Sequence, residues 1–190
     1  MGEGIGVLAD SGGDLDAFGA AYELLVSRGA ERFFFAGGHY TDLDLWIAQK
    51  RRRASQPSDA QALLRLESRF VRVCERGSPR YGNPGVGAKS LDMLGDVLCC
   101  IVHDKDDLSR DDLLNASVFF HGGGSEPNVV QIGPRFFVTP GRLSGGDRQT
   151  CGLVQPVDGN LRFSAFCLDG QPSGEGWLLA IPRRAKMSIR

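Results

Sequence analysis

The feature that most restricts the fold of this chain is a strand–helix–strand pattern at its N-terminus. Residues 5–9 form an apolar run that ends in the glycine-rich turn DSGGD, and residues 32–36 form a second run that ends in two glycines. Between them apolar residues recur at helical spacing, with Asp14 in the N-cap position and Gly29 just after the helix. Two strands joined by a helix within about 30 residues predict a parallel pair with a right-handed crossover.

The rest of the chain predicts a second, mixed set of elements. We expect helices at 42–54, 59–68 and 109–115 (capped by Ser109), strands at 70–74, 97–103 and 118–120, and a long loop at 75–89. After residue 120 short strands follow one another without helices, which predicts antiparallel pairing. The expected organisation is one α/β domain over 1–190, with an antiparallel part at 146–182 and an exposed tail at 183–190.

Composition excludes several classes of protein. The 190 residues carry a formal net charge of −1, so no global field favours nucleic acid or an acidic membrane. No apolar run approaches the ~20 residues of a membrane span, and the N-terminus lacks the features of a secretory signal. The five cysteines form no C-x-x-C pair, which favours reduced structural thiols. We therefore expect a cytoplasmic location.

Polar residues at the strand ends are the candidates for chemistry. In an open α/β sheet, ligands bind outside the carboxyl ends of the strands. Asp10, His39, His103 and His121 all lie at or beside such ends. They are candidate metal ligands or acid–base groups, and the same strand-end positions also suit an Asp or His that only satisfies backbone hydrogen bonds.

The order of the strand-end loops resembles the metallophosphoesterase superfamily, in particular its branch of small bacterial and archaeal phosphodiesterases and Vps29-type proteins. Six segments carry the resemblance over residues 5 to about 145: IGVLADSGGDLDAF, FFFAGG, VCERGSPRYG, LCCIVHD, FFHGGGSEP and FFVTPGRLS. The resemblance implies a sandwich of two mixed β-sheets flanked by helices. It also implies a two-metal site at the loops, where the Asp of a G-D motif bridges the ions.

Most of the metal ligands that the resemblance implies are absent from this sequence. Only Asp10 and His103 keep a coordinating side chain of the expected kind. The expected ligands are replaced at Gly12, Gly38, Ser78, Arg80, Gly123 and Ser125. A transition-metal site needs at least three protein ligands, so we expect no catalytic residue and no metal. If the protein is active, Asp10 and His103 are its catalytic candidates, with Mn or another divalent transition metal; a rebuilt site would use Asp10, His39, His103 and His121.

The leading hypothesis is therefore a catalytically inactive phosphoesterase fold that acts as a protein-interaction or regulatory module. The alternative is a weak or altered phosphodiesterase or phosphatase, or a protein that binds a phosphorylated small molecule. For the alternative, Gly12, Gly38, Gly123 and Gly124 would leave space and bare backbone N–H groups for an anion. Such a pocket would be lined by Asp10, Gly12, Gly38, His39, Ser78, Arg80, His103, His121, Gly123 and Ser125.

Two surface features bear on partners. The cluster at 50–53 (KRRR) suits the C-terminal turn of a helix, because cations there complement the helix dipole. It lacks the broad basic surface of a nucleic-acid-binding protein, so nucleic acid is not the expected partner. Trp46, Trp177 and Tyr81 are the apolar residues that we expect in a protein-binding surface if they are exposed.

Overall fold

The structure, a computed structural model, describes residues 4–53, 63 and 65–181. Its strands are β1 (Gly4–Leu8), β2 (Ala30–Phe35), β3 (Phe70–Arg72), β4 (Lys89–Leu94), β5 (Val97–Val102), β6 (Val118–His121), β7 (Pro127–Ile132), β8 (Arg135–Pro140), β9 (Thr150–Val157), β10 (Asn160–Cys167) and β11 (Trp177–Leu179). The helices are α1 (Leu15–Ser27), α2 (Asp42–Arg53) and α3 (Arg110–Asn115), and a 3-10 turn spans Lys105–Asp107.

The first sheet contains the predicted N-terminal unit and has the order β11-β10-β9-β1-β2-β3. β1 and β2 pair in parallel, joined by α1, as the sequence predicts. The side chain of Asp14 accepts a hydrogen bond from the backbone N of Ala17 at 2.9 Å and caps α1. Gly29 follows the helix at φ +92°, a conformation that strains any residue with a Cβ.

The second sheet has the order β4-β5-β6-β8-β7 and mixes both kinds of pairing. The strands after residue 120 pair with one another in antiparallel fashion, as predicted, and β8 also runs parallel to the earlier strand β6. The cause is the β7–β8 hairpin: β7 takes the outer position, so β8 enters beside β6 in the same direction. Strand β4, which pairs with β5, has no clear sequence signal, because KSLDML carries two charges and follows the long loop.

The apolar residues fill three layers. Between the two sheets lies a cluster that includes Phe34 and Phe120, whose ring centroids are 5.4 Å apart. Outside the first sheet, α1 and α2 cover a second cluster around Phe18 and Trp46. Outside the second sheet, α3 covers a small cluster around Phe119. This α/β sandwich of two mixed sheets flanked by helices confirms the predicted fold class.

Several of the predicted segments extend beyond the described residues, and the helix expected at 42–54 is described as far as Arg53. Of the helix expected at 59–68, residues 63 and 65–67 are helical, while 59–62 and 64 lie outside the described part. The expected tail, 183–190, also lies outside it. No helix within the described ranges combines the length and apolar character that crossing a bilayer requires.

Candidate functional site

The loops at the carboxyl ends of the strands meet at one end of the sandwich. The backbone N of Asp10 after β1 donates to Gly37 O after β2 at 2.8 Å. The backbone N of Gly123 after β6 donates to Asp10 Oδ2 at 2.7 Å, and Ser144 Oγ after β8 donates to Asp10 O at 3.0 Å. The strand-end reasoning therefore predicts correctly which loops come together, and Asp10 lies at their centre.

Asp10 is paired with His103, the other candidate that keeps a coordinating side chain, and the pairing occupies both groups. His103 Nε2 lies 3.0 Å from Asp10 Oδ1, and the second oxygen of Asp10 accepts the Gly123 N–H. The other ring nitrogen of His103 lies 3.2 Å from Asp104 Oδ2, at ion-pair distance but outside hydrogen-bond geometry. His103 thus lies between two carboxylates.

The electrostatics of this arrangement favour a positive charge on His103. Burial by itself lowers the pKa of His103, but the hydrogen bond and the charges of Asp10 and Asp104 outweigh burial and raise the pKa from 6.5 to about 9. Burial would raise the pKa of Asp104, but the backbone N–H of Arg76 and the charge of His103 outweigh it, so this pKa is lowered. The raised pKa favours a protonated imidazole that donates from Nε2 to Asp10 Oδ1.

Other carboxylates occupy the backbone donors of the same loops. Asp42, 1% exposed, accepts the Ser11 hydroxyl at 2.7 Å and the Gly13 N–H at 2.8 Å through one oxygen. Glu75 accepts the N–H groups of Gly38 at 3.1 Å and Tyr40 at 3.3 Å. The loop end is therefore a set of glycine-rich turns whose N–H groups bind the chain's own carboxylates.

The expectation that the substituted glycines leave space is wrong for most of them. A Cβ on Gly38 would lie 2.5 Å from Asp10 Cα, one on Gly12 would lie 2.1 Å from Ser144 Oγ, and one on Gly124 would lie 2.4 Å from Thr139 Oγ1. Only Gly123 of the four faces open space. Neighbouring backbone and side chains have closed over these positions, and Gly38 in particular has no room for a carboxylate.

The remaining two histidines bind groups other than Asp10 and His103. The side chain of His39 is 60% exposed, and its Nδ1 lies 3.7 Å from Asp42 Oδ1. His121 is buried at the end of β6, where its Nδ1 donates to Gly122 O at 2.8 Å, and burial lowers its pKa. Within the described ranges, no three His, Cys, Asp or Glu side chains are arranged to hold a metal ion.

The outer members of the predicted pocket are solvent-facing. Ser78 Oγ accepts the backbone N–H of Arg80 at 3.3 Å in the turns after β3, and the Arg80 side chain is exposed. Ser125 is exposed in the loop before β7. Arg80 is therefore directed to solvent and not into the pocket beside Asp10.

Sequence reasoning misses Asp42, Glu75 and Ser144. A signal exists for Glu75, because it directly follows the apolar run 70–74. The sequence around Asp42 indicates only the start of a helix. The hydrogen-bond donors to its side chain lie 29–31 residues earlier in the chain. Trp46, a candidate for a partner surface, is 3% exposed and packs against Phe18 and Tyr22, so it belongs to the core.

Comparison with known proteins shows which solved structures have a similar fold. No protein-family model matches the sequence, and no curated protein is similar to it. Among solved structures, the phosphoesterase Yfce from E. coli is 17% identical with a TM-score of 0.64, covering 93% of this chain and 100% of Yfce. Vps29 from Chaetomium thermophilum is 14% identical with a TM-score of 0.64, covering 95% and 100% of the two chains.

A third similar structure is a predicted phosphoesterase from Streptococcus pneumoniae TIGR4. It is 16% identical with a TM-score of 0.63, covering 94% of this chain and 98% of that one. Each match spans nearly the whole of both chains, so the likeness extends to the entire sandwich. The chain has the calcineurin-like metallophosphoesterase fold of the Yfce and Vps29 proteins.

Proposed function

We propose that this chain is a catalytically inactive phosphoesterase fold that works as a protein-interaction or regulatory module. The observation that carries the proposal is the closure of the loop end. Asp10 is paired with His103, and Asp42 and Glu75 are turned onto backbone N–H groups. Catalytic sites of this kind instead point their carboxylates and imidazoles at ions that activate water.

A two-metal centre does not fit these residues. The bridging carboxylate would have to belong to a side chain at position 38. Gly38 occupies that position, and even a methyl group there would overlap the Asp10 backbone. Asp10 and His103 are two ligands of the three that a firm site needs, and they are engaged with each other. The raised pKa of His103 favours a positive charge beside Asp10, which supports a site that does not require a metal.

The alternative of a phosphorylated ligand meets the same difficulty. A phosphate would need the N–H groups of Gly13, Gly38 and Gly123, and each already donates to a carboxylate. The N-terminus of α1 is likewise capped by Asp14. A phosphate would have to displace these carboxylates and stay beside them, which like charges disfavour.

Two observations support binding of another macromolecule. Vps29 from Chaetomium thermophilum, a structural neighbour, has been crystallised with a cyclic peptide, so a protein with this fold can present a peptide-binding surface. In this chain, large apolar side chains are exposed outside the loop end, among them Val130 and Ile132.

All five cysteines are unpaired, which suits a reducing compartment and a cytoplasmic location.

The experiment is a paired assay of metal content and turnover. The purified protein is incubated with Mn²⁺ and analysed for bound metal, and hydrolysis of a generic phosphodiester is measured beside Asp10→Asn and His103→Gln. We expect no stoichiometric metal and a background rate that neither substitution changes. Stoichiometric metal, with turnover that both substitutions abolish, would instead establish the phosphodiesterase alternative.

A further inference from the structure

Among the described strands, those at the edges of the two sheets differ in how they are protected. Exposed edges invite pairing with another chain, and proteins usually keep them short or charged. β3 and β11 have three residues each. β4 has six but carries Lys89 and Asp92, which pair with Asp112 and Arg32. β7 also has six residues, PNVVQI, and none is charged.

The outward face of β7 is apolar as well as uncharged. Val130 is 46% exposed and Ile132 is 60% exposed. Because side chains alternate along a strand, both lie on one face with Asn128, the face that Phe137 and Arg135 share on the neighbouring strand. This is the face that α3 covers only around Phe119. β7 therefore exposes apolar side chains beside an edge with which no described strand pairs.

The register of the β7–β8 hairpin determines which backbone groups are free. Its two-residue turn is Gly133–Pro134, with Gly133 at φ +59°, and Ile132 pairs with Arg135. In a two-residue hairpin, the two residues that flank the turn exchange both of their backbone hydrogen bonds. Every second residue of β7 therefore bonds to β8, and the backbone groups of the residues between them point away from β8. The groups that face away are those of Val129 and Gln131. The Val129 N–H accordingly binds the adjacent Asn128 side chain at 2.8 Å.

We propose that β7 pairs in antiparallel fashion with β7 of a second copy of this chain, about a two-fold axis at Val130. Val129 of one copy would then exchange hydrogen bonds with Gln131 of the other, twice by symmetry. Val130 would lie against Val130 of the second copy, and Ile132 against Asn128. The two five-stranded sheets would become one continuous sheet across the dimer.

Charge complementarity favours a second copy as the occupant. The strand has no charge of its own, so self-pairing brings no like charges together. At one end lies Glu126, which is exposed, and just beyond the other end lies Arg135, which is half-buried and donates from Nε to Leu113 O of α3. Antiparallel pairing centred on Val130 brings Glu126 opposite Pro134 of the second copy, next to its Arg135. Opposite charges therefore approach at both ends of the paired strands.

The association is expected to be weak. One strand per copy buries less than the ~1,600 Å² of a standard interface, which is the size of a weak or transient contact. This inference does not depend on the proposed function. Bound metal and turnover would contradict that function without affecting the dimer, and a monomeric protein would contradict the dimer without affecting the function.

The experiment is sedimentation velocity of the full chain from about 5 to 500 μM. We expect a concentration-dependent shift from monomer to dimer. Val130→Lys and Val130→Glu place like charges on the axis and should each weaken dimerisation at least tenfold. An equal mixture of the two variants should recover it, because the charges are then opposite. Leu91→Lys is the matched control, an exposed leucine on the same sheet's other edge strand, and should leave the dimer unchanged.

Gln131→Pro separates edge pairing from contact between apolar faces. It removes an outward N–H and leaves Val130 and Ile132 in place, so loss of the dimer supports strand pairing. Circular dichroism of each variant confirms that it folds. A monomer at every concentration would overturn the proposal, as would a dimer that neither the Val130 charges nor Gln131→Pro affects. A monomer that binds an extended apolar peptide along β7 would also overturn it and identify a foreign strand as the occupant.

Discussion

The polar groups at the loop end of the sandwich and those along the β7 edge differ in where their hydrogen-bonding groups point. At the loop end, Asp10, Asp42 and Glu75 accept hydrogen bonds from nearby loops. Along β7, backbone groups face away from the sheet beside the exposed side chains of Val130 and Ile132. The carboxylates in the region where the resemblance places two metal ions thus bind groups of the chain itself, whereas β7 has no strand on its outer side among the described residues.

The largest expected effect comes from adding one methyl group at the loop end. Gly38→Ala should destabilise the protein by about 3 kcal/mol or more, because its Cβ would overlap the Asp10 backbone. Gly123→Ala is the matched control: it also has positive φ, at +73° against +81°, but it faces open space. It should cost about 1 kcal/mol. Urea unfolding measures both, and equal losses would show that the loops are not closed around Gly38.

A second, smaller effect should follow from removing the charge of Asp10. Asp10→Asn keeps the shape and an acceptor for Gly123 but leaves His103 without its nearest carboxylate. We expect a loss of about 2 kcal/mol in the free energy of unfolding at pH 7. Asp14→Asn is the control, since Asn caps a helix as well as Asp does. A loss no larger for Asp10→Asn than for this control would contradict a paired Asp10.

The pH dependence of stability tests the same pair with a defined sign. The folded-state pKa of His103 is raised to about 9, so its contribution is full below pH 6.5 and is lost as the pH rises through 9. Its size is about 3 kcal/mol at most. The stability difference between wild type and His103→Gln should therefore shrink between pH 6.5 and 9. His121, whose pKa is lowered, acts below pH 6.5 and cancels in this difference. A difference that is constant with pH would indicate a neutral His103.

The smallest effect is expected on β7. Ile132→Thr removes an exposed apolar group and should change the free energy of unfolding by less than about 0.5 kcal/mol. Leu161→Thr, at a buried position of β10, serves as the contrast and should cost several times more. Comparable losses at the two positions would mean that β7 is packed within the chain and is not a free edge.

The fold is largely predictable because its signals are local. The period of the apolar residues predicts α1, and the Ser109 cap predicts α3, where Ser109 and Asp112 form both reciprocal hydrogen bonds. β4 escapes prediction because its charged residues Lys89 and Asp92 find partners 23 and 60 residues away. No local pattern reveals such partners.

The site is predictable in its location but not in its packing. Alternation of strands and loops indicates that Asp10 and His103 meet. A glycine in a sequence, however, shows only that a side chain is absent, not what occupies its place. At Gly38 the occupant is the Asp10 backbone, and at Gly124 it is Thr139. Charge partners such as Asp42 likewise depend on contacts between distant loops.

The most direct test of the closed loop end is an NMR titration of the His103 imidazole with and without one equivalent of Zn²⁺. The closed arrangement predicts that His103 titrates near pH 9 and that its resonances do not respond to the metal at pH 7. A His103 that titrates at or below 6.5, or whose resonances shift or broaden with stoichiometric Zn²⁺, would show that the imidazole is free to coordinate and would contradict the account.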